Sequence, residues 1–206
     1  MKITTLLITS MAVLTLASCK NPADSTPDAS VKEAEAEAEA VAEGGQRYEF
    51  SPSSTIGFVG SKVTGSHEGG FKQFTGHFLV NKGKPQAGEF VIDMNSTWSD
   101  AEKLTGHLKA PDFFDVANHP QSTFKVTAFK QESPGAYVLS GNLTLRGVTK
   151  NITFPTQVSG SEDAVRIKAE FDINRQDFGI AYPGRKDDLI RDEVIIKLDL
   201  EAKPGS

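Results

Sequence analysis

From Thr55 to Glu201 the chain reads as strand after strand, apolar and polar residues alternating with a period of two. The alternation is clearest in the second half. Tyr137, Leu139, Gly141, Leu143 and Leu145 face one way, and Ser140, Asn142, Thr144 and Arg146 the other. Val165, Ile167, Ala169, Phe171 and Ile173 oppose Arg166, Lys168, Glu170, Asp172 and Asn174; Val194, Ile196, Leu198 and Leu200 oppose Glu193, Lys197, Asp199 and Glu201. Each such run is a strand with one dry and one wet face. Noisier strands are predicted over Thr55–Val63, Phe71–Val80, Glu89–Asn95, Ser122–Lys130 and Asn151–Val158. Turn-forming joints separate them at Ser66–Gly70, Asn81–Pro85, Ser133–Gly135, Ser159–Ser161 and Pro183–Arg185.

One stretch breaks the alternation. Leu104 and Leu108 lie four apart, on one face of a short helix that Ser99 or Asp100 would cap and Pro111 would stop. Phe113, Phe114 and Val116 follow outside any regular pattern. A helix and an aromatic plug, inserted once into an all-β chain, predict a lid over the end of something hollow.

Eight one-sided, antiparallel strands bury their dry faces by closing into a barrel or by folding into a sandwich, and alternation alone leaves both open. Small residues on the dry faces (Gly60, Gly76, Ala128, Gly141 and Ala169) favour a cavity beside the phenylalanines, with tight packing around a solid core as the alternative.

Charge divides the chain. Residues 20–46 carry seven acids against two lysines, whereas the chain from Arg47 onward carries 20 acids and 19 bases. The folded part is near neutral and lacks a basic patch suited to nucleic acid. The tract from Lys20 to Gln46 is polar, turn-forming and then Glu/Ala-rich, too poor in apolar surface to offset the entropy of ordering. It is expected to be a disordered tether.

Ahead of it, Lys2 and the apolar run Ile3–Ala17 form a secretion signal, too short to span a bilayer comfortably. The run ends Leu16-Ala17-Ser18-Cys19 and resembles the bacterial lipobox, which implies cleavage after residue 18 and acylation of Cys19. The implied anchor of several acyl chains would hold the protein at a membrane. Lys20 in place of aspartate points, under the enterobacterial sorting rule, to the outer membrane. Cys19 is the single cysteine, so no intramolecular disulfide is possible.

Six motifs in order, Gly70-Phe-Lys-Gln-Phe-Thr-Gly76, His107-Leu-Lys-Ala-Pro-Asp-Phe-Phe-Asp-Val116, Pro120-Gln-Ser-Thr-Phe124, Gly141-Asn-Leu-Thr-Leu-Arg-Gly-Val-Thr-Lys150, Asn174-Arg-Gln-Asp-Phe-Gly-Ile180 and Asp192-Glu-Val-Ile-Ile-Lys-Leu198, resemble the successive signatures of the YceI family. The resemblance covers residues 47–203. It implies a lipocalin-like, eight-stranded antiparallel barrel whose apolar interior binds a long isoprenoid chain, a polyprenyl lipid or a quinone. The chain departs from the family at Leu104-Thr-Gly106, where many members carry Arg-Asp, and at Ser53–Phe58, where others carry a histidine. Both departures concern the head group rather than the fold.

On this reading the dry-face residues Phe58, Phe74, Phe78, Phe90, Ile92, Phe124, Leu143, Ile167 and Phe171 line the tunnel, and Phe113, Phe114 and Phe178 sit nearer its mouth. Arg146, Lys150 and Arg175 are the cations available to a phosphate or quinone oxygen, although each also suits a solvated or turn-pairing role. No cofactor beyond the lipid, no catalytic residue and no metal are expected. His67, His77, His107 and His119 lack metal-ligand spacing, no Gly-x-Ser-x-Gly elbow occurs, and no Gly-rich phosphate loop opens a helix. A metal held by His107 or His119 with Asp112 or Asp115, and a solid barrel acting as an envelope scaffold, are the rival readings. No protein partner is indicated.

Overall fold

A computed structural model describes residues 21–36 and 45–205. The predicted secretion signal and Cys19 lie outside the described residues.

The described strands are β1 (Ser30–Glu33), β2 (Gln46–Phe50), β3 (Thr55–Lys62), β4 (Gly65–Phe71), β5 (Phe74–Asn81), β6 (Lys84–Asp93) and β7 (Thr97–Ser99). After helix α1 (Glu102–Leu108) come β8 (Gln121–Ser133), β9 (Ala136–Leu145), β10 (Val148–Gly160), β11 (Val165–Asn174), β12 (Gly184–Arg185) and β13 (Asp188–Pro204). The pairings β2–β5–β6–β8–β9–β10–β11–β13 return to β2, closing an eight-stranded antiparallel barrel. Three walls are interrupted strands. β2 and β3 lie in succession along β13, β3 pairs with β4, and β4 pairs with β7. Counting each interrupted pair once, the eight strands are those of the alternation.

Two hairpins are set by local chemistry. Lys82-Gly83 and Arg146-Gly147 each place both loop residues at positive φ, the type I′ arrangement whose twist matches that of the flanking strands. The segment Ser66–Gly70, expected to be a joint, instead belongs to β4 and pairs with β3. Gly69 and Gly70 are there because a Cβ at either would lie within 2.7 Å of the Phe58 ring or a backbone carbonyl. They are seats for neighbours, not turn residues.

The helix forms where expected and ends before Pro111, but its N-cap is Ala101, with no side-chain cap. The Asp100 carboxylate accepts instead from the Glu68 backbone N–H (3.1 Å) and lies 2.8 Å from His67 Nδ1. Those contacts hold its carboxyl below the usual aspartate range, the Glu68 N–H first.

A larger departure concerns the acidic tract. Of the predicted tether 19–46, residues 21–36 are built onto the barrel. Asn21 bonds Glu193 (3.2 Å) and Ser61 (3.3 Å), Thr26 donates to Asp172 (2.8 Å), and β1 pairs with β10. Composition argued for disorder because the tract has little apolar surface of its own. Its partners are the β10 edge, polar side chains on the barrel's outer face and apolar seats for Ala23, Ala29 and Val31, none of which a local pattern announces. Asn142, on a face predicted wet, exchanges hydrogen bonds with the Glu35 backbone (2.7 and 3.0 Å) and is itself buried, as is the neighbouring Asn151. Among the described residues no helix is long and apolar enough to cross a membrane.

Candidate functional site: an apolar cavity under the lid

The barrel is filled unequally along its axis. The lower ends of the strands supply Tyr48, Phe78, Val80, Val126, Leu139, Val165, Ile167, Leu200 and Ala202, all buried in one cluster. Above them a belt of rings crosses the interior. Phe90 and Phe124 stack at 4.9 Å, Phe124 meets Phe154 at 6.0 Å, and Phe154 stacks on Phe171 at 3.8 Å, nearly parallel. These rings come from β6, β8, β10 and β11. Intervening strand β9 contributes Gly141, where a Cβ would lie 2.2 Å from the Phe124 ring. The missing side chain lets Phe124 lean across to Phe154.

Above the belt the alternation continues but the side chains no longer meet. A cavity of about 150 Å³ opens, with the belt as its base. Ile56, Phe58, Phe71, Ile92, Leu143, Leu145, Ile152, Ile173, Ile196 and Leu198 form its wall, and Leu108, Phe113, Phe114 and Ile180 close its upper end. Apolar cavities of this size stay dry and accept apolar guests.

The lid is held by local turns and by cations, Lys109 donating to the Asn95 carbonyl (2.6 Å) and Arg146 to two more. Phe113 and Phe114 donate their backbone N–H groups to Ala110 and Leu108 carbonyls (both 3.0 Å), and Asp115 takes a left-handed conformation to return the chain. Arg146 donates to the carbonyls of Pro111 (2.7 Å) and Gly179, tying the lid to the turn Arg175–Phe178. His107 sits edge-on to Phe113 and Tyr182, with Nε2 2.7 Å from Asp112.

Two polar residues reach the lining, and both are internally satisfied. Ser122 Oγ donates to the Thr144 carbonyl at 2.7 Å. Arg175 is 5 % exposed and donates to the carbonyls of Ile180, Ile190 and Arg191 and to Asp192 at 2.9 Å. Its guanidinium knots the strand ends around the rim. Lys150 pairs with Glu33 at 2.6 Å. The three cations considered for a head group are therefore engaged with the protein itself.

Of the residues expected to line a tunnel, Phe58, Phe90, Ile92, Phe113, Phe114, Phe124, Leu143 and Phe171 lie on the cavity. Phe74, Phe78, Ile167 and Phe178 do not. Phe78 and Ile167 point inward below the belt, into solid core, and Phe178 is fully buried in the same cluster. Phe74 packs edge-on against Phe50. Alternation gives the face of a residue, not its height in the barrel. Phe71, Ile152 and Phe154 were missed, although Ile152 and Phe154 alternate within a predicted strand. The dry-face glycines also act differently from expectation. Gly76 and Gly141 are seats for phenylalanine rings, while Gly60 lines the cavity, with nothing within 4 Å of its would-be Cβ.

The histidines do not assemble a metal centre. His107 faces Asp112, and the His119 ring lies against Gly147. Among the described residues no group of three His, Cys, Asp or Glu side chains is arranged to hold a metal ion.

The model of the YceI-like domain matches residues 48–202, most of the chain. The chain belongs to the YceI-like family. Curated relatives of this YceI-like chain include a UPF0312 protein of Pseudomonas putida strain W619, 34 % identical over 124 residues, and the protein YceI of Salmonella arizonae, 34 % identical over 120. The matches cover 56 % and 54 % of this chain and 65 % and 62 % of those relatives. Among solved structures, BcnA of Burkholderia cenocepacia superposes with a TM-score of 0.67 at 25 % identity, over 73 % of this chain and 96 % of BcnA. A polyisoprenoid binding domain of Saccharophagus degradans superposes with a TM-score of 0.64 at 18 % identity, over 78 % and 99 % respectively. The shared fold is the YceI-like barrel.

Proposed function

We propose that the protein binds an isoprenoid lipid, a polyprenyl lipid or an isoprenoid quinone, in the cavity above the ring belt, and carries or stores it in the bacterial envelope. The observation that carries this reading is the lining. It is apolar but for Ser122 and Arg175, whose hydrogen bonds are met within the protein. Such a wall recognises length and shape, as a methyl-branched run of isoprene units without polar groups requires. The polyisoprenoid binding domain of the same fold supports it.

Burial of each methylene contributes about 0.8 kcal/mol, so a few isoprene units offset an association cost of about 4–15 kcal/mol. The cavity is smaller than the ~300–1,000 Å³ of sites for drug-sized ligands. It accepts the end of a chain as it stands, and a longer chain displaces the half-buried rings Phe71 and Phe114. A solid scaffold needs no such space.

Acylation of Cys19 would add a membrane anchor two residues ahead of Asn21, which docks on Ser61 and Glu193 near the lid end. The lid end would then face the bilayer, with the docked segment holding the barrel close to it.

Mass spectrometry of organic extracts tests this reading, on Cys19→Ser protein purified from a bacterial periplasm without detergent. An isoprenoid at near one per protein is expected. A folded protein that carries none and refuses added polyprenyl lipid would overturn the carrier function.

A further inference from the structure

The barrel wall has a seam beside the cavity. β10 and β11 pair only through their lower halves, Gln157–Gly160 with Val165–Lys168. The ladder ends at Gln157, two residues beyond Pro155, which has no N–H to offer. Higher up, the stacked rings of Phe154 and Phe171 span the two strands inside. The backbone gap outside them is filled by residues 27–33. β1 pairs antiparallel with Lys150–Thr153 of β10. On the other lip, Ala29 donates to the Asp172 carbonyl (2.9 Å) and Asp172 donates to the Pro27 carbonyl (3.1 Å). Ala29 and Val31 pack against the barrel core. Both lips, Ile152 and Phe154 on one side and Phe171 and Ile173 on the other, line the cavity.

We propose that residues 27–33 are a removable segment of the barrel wall, and that the apolar ligand enters and leaves sideways through the seam they close. This rests on the lipid-binding reading above. The segment lies outside residues 48–202, which the YceI-like domain matches.

Three features make it the part of the wall that opens. Its apolar hold is small, an alanine and a valine, and elements with few buried apolar contacts open at low cost. Its strand is four residues long, and β11 adds one isolated parallel bridge, Asp28 to Asp172. The facing charges also repel. Asp28 of the segment, with Asp24 just ahead of it, shares a polar hollow with Asp172, Asp177 and Glu193 of the barrel, against the ion pair of Lys150 with Glu33. Asp172 is 4 % exposed, and its carboxyl is pushed up by burial, then by Asp28 and Glu193, against the Thr26 hydroxyl, which favours the ionised form.

The decisive experiment locks the wall. Ser30 and Thr153 are directly opposed across β1 and β10, at a spacing a disulfide accepts. The full chain carrying Cys19→Ser, Ser30→Cys and Thr153→Cys is mixed with retinol, a fluorescent isoprenoid alcohol, before and after reduction. Uptake slowed by about tenfold or more in the oxidised form, and restored by reductant, is expected for a gated route. Equal rates in both forms overturn the side route while leaving lipid binding intact. Failure of both forms to take up retinol counts against the lipid-binding reading itself, and the wall is then judged without ligand. In amide hydrogen exchange, Ala29 and Asp172 should exchange at least about a hundredfold faster than Leu139 and Ile167, through local opening. Exchange no faster than in that lower core overturns the proposal.

Discussion

Below the ring belt, Phe78, Ile167 and Leu200 are buried together in one cluster; above it, Ile92, Leu143 and Ile173 stand on strands of the same barrel with the same inward orientation and surround a cavity. Propensity and polarity do not distinguish the two halves. The difference lies in what closes each end. At the lower end, Tyr48 from β2 and Ala202 from β13 bring side chains into the axis. At the upper end closure is delegated to the lid, whose Leu108, Phe113 and Ile180 form a separate cluster with Phe58. A lid spans a space without filling it.

Truncations should break the comparison most clearly. Phe78→Ala, at a site with no exposure, is expected to cost about 3–5 kcal/mol in urea unfolding. Phe114→Ala, at the half-buried roof of a space already empty, should cost less than half of that and enlarge the cavity. Equal costs would mean that the upper half is packed as a core.

Arg175 is the charged residue of the cavity lining in the upper half. Arg175→Met leaves Asp192 and three carbonyls without their donor, and about 3 kcal/mol of stability should be lost. An unchanged unfolding midpoint with weakened binding of an anionic isoprenoid phosphate would instead make Arg175 a head-group residue.

Glycines sharpen the contrast. Gly141→Ala drives a methyl group into the Phe124 ring and should cost about 1–3 kcal/mol. Gly60→Leu points into open cavity, so it should leave the unfolding free energy within about 0.5 kcal/mol while abolishing lipid uptake. Reversal of that order would place the cavity elsewhere.

The smallest effect belongs to the seam. Burial first, and then Asp28 of the docked segment, raise the affinity of Asp172 for its proton against the Thr26 hydroxyl, so the part of docking that buries Asp172 and sets it beside Asp28 has its full strength below the ordinary aspartate value near 3.8 and weakens as pH rises through the raised one. Protection of the Ala29 amide, corrected for intrinsic exchange, should fall across that interval, and Asp172→Asn should flatten the dependence. A pH-independent Asp172 would leave the segment held by its backbone pairing alone.

Much of the scaffold was legible in the chain. The period-2 runs mark eight walls, the break at residues 100–120 marks the lid, and Phe90, Phe124 and Phe171 are inward-facing in both the pattern and the structure. Less legible was anything set by two distant segments. Phe78 and Phe90 read alike, yet one is core and the other cavity base. Asn142 reads as a wet residue and is buried because Glu35, 107 positions away, covers it.

The sequence by itself determined the walls, their order, the dry face of each and the apolar chemistry of whatever lies inside, because side-chain direction along a strand is a local property of the backbone. The tertiary structure alone decided where inward side chains meet and where they leave room, and that an acidic tract completes the wall. Those outcomes depend on barrel diameter, on the height of each residue along the axis and on hydrogen bonds between segments far apart in the chain, none of which a local pattern encodes.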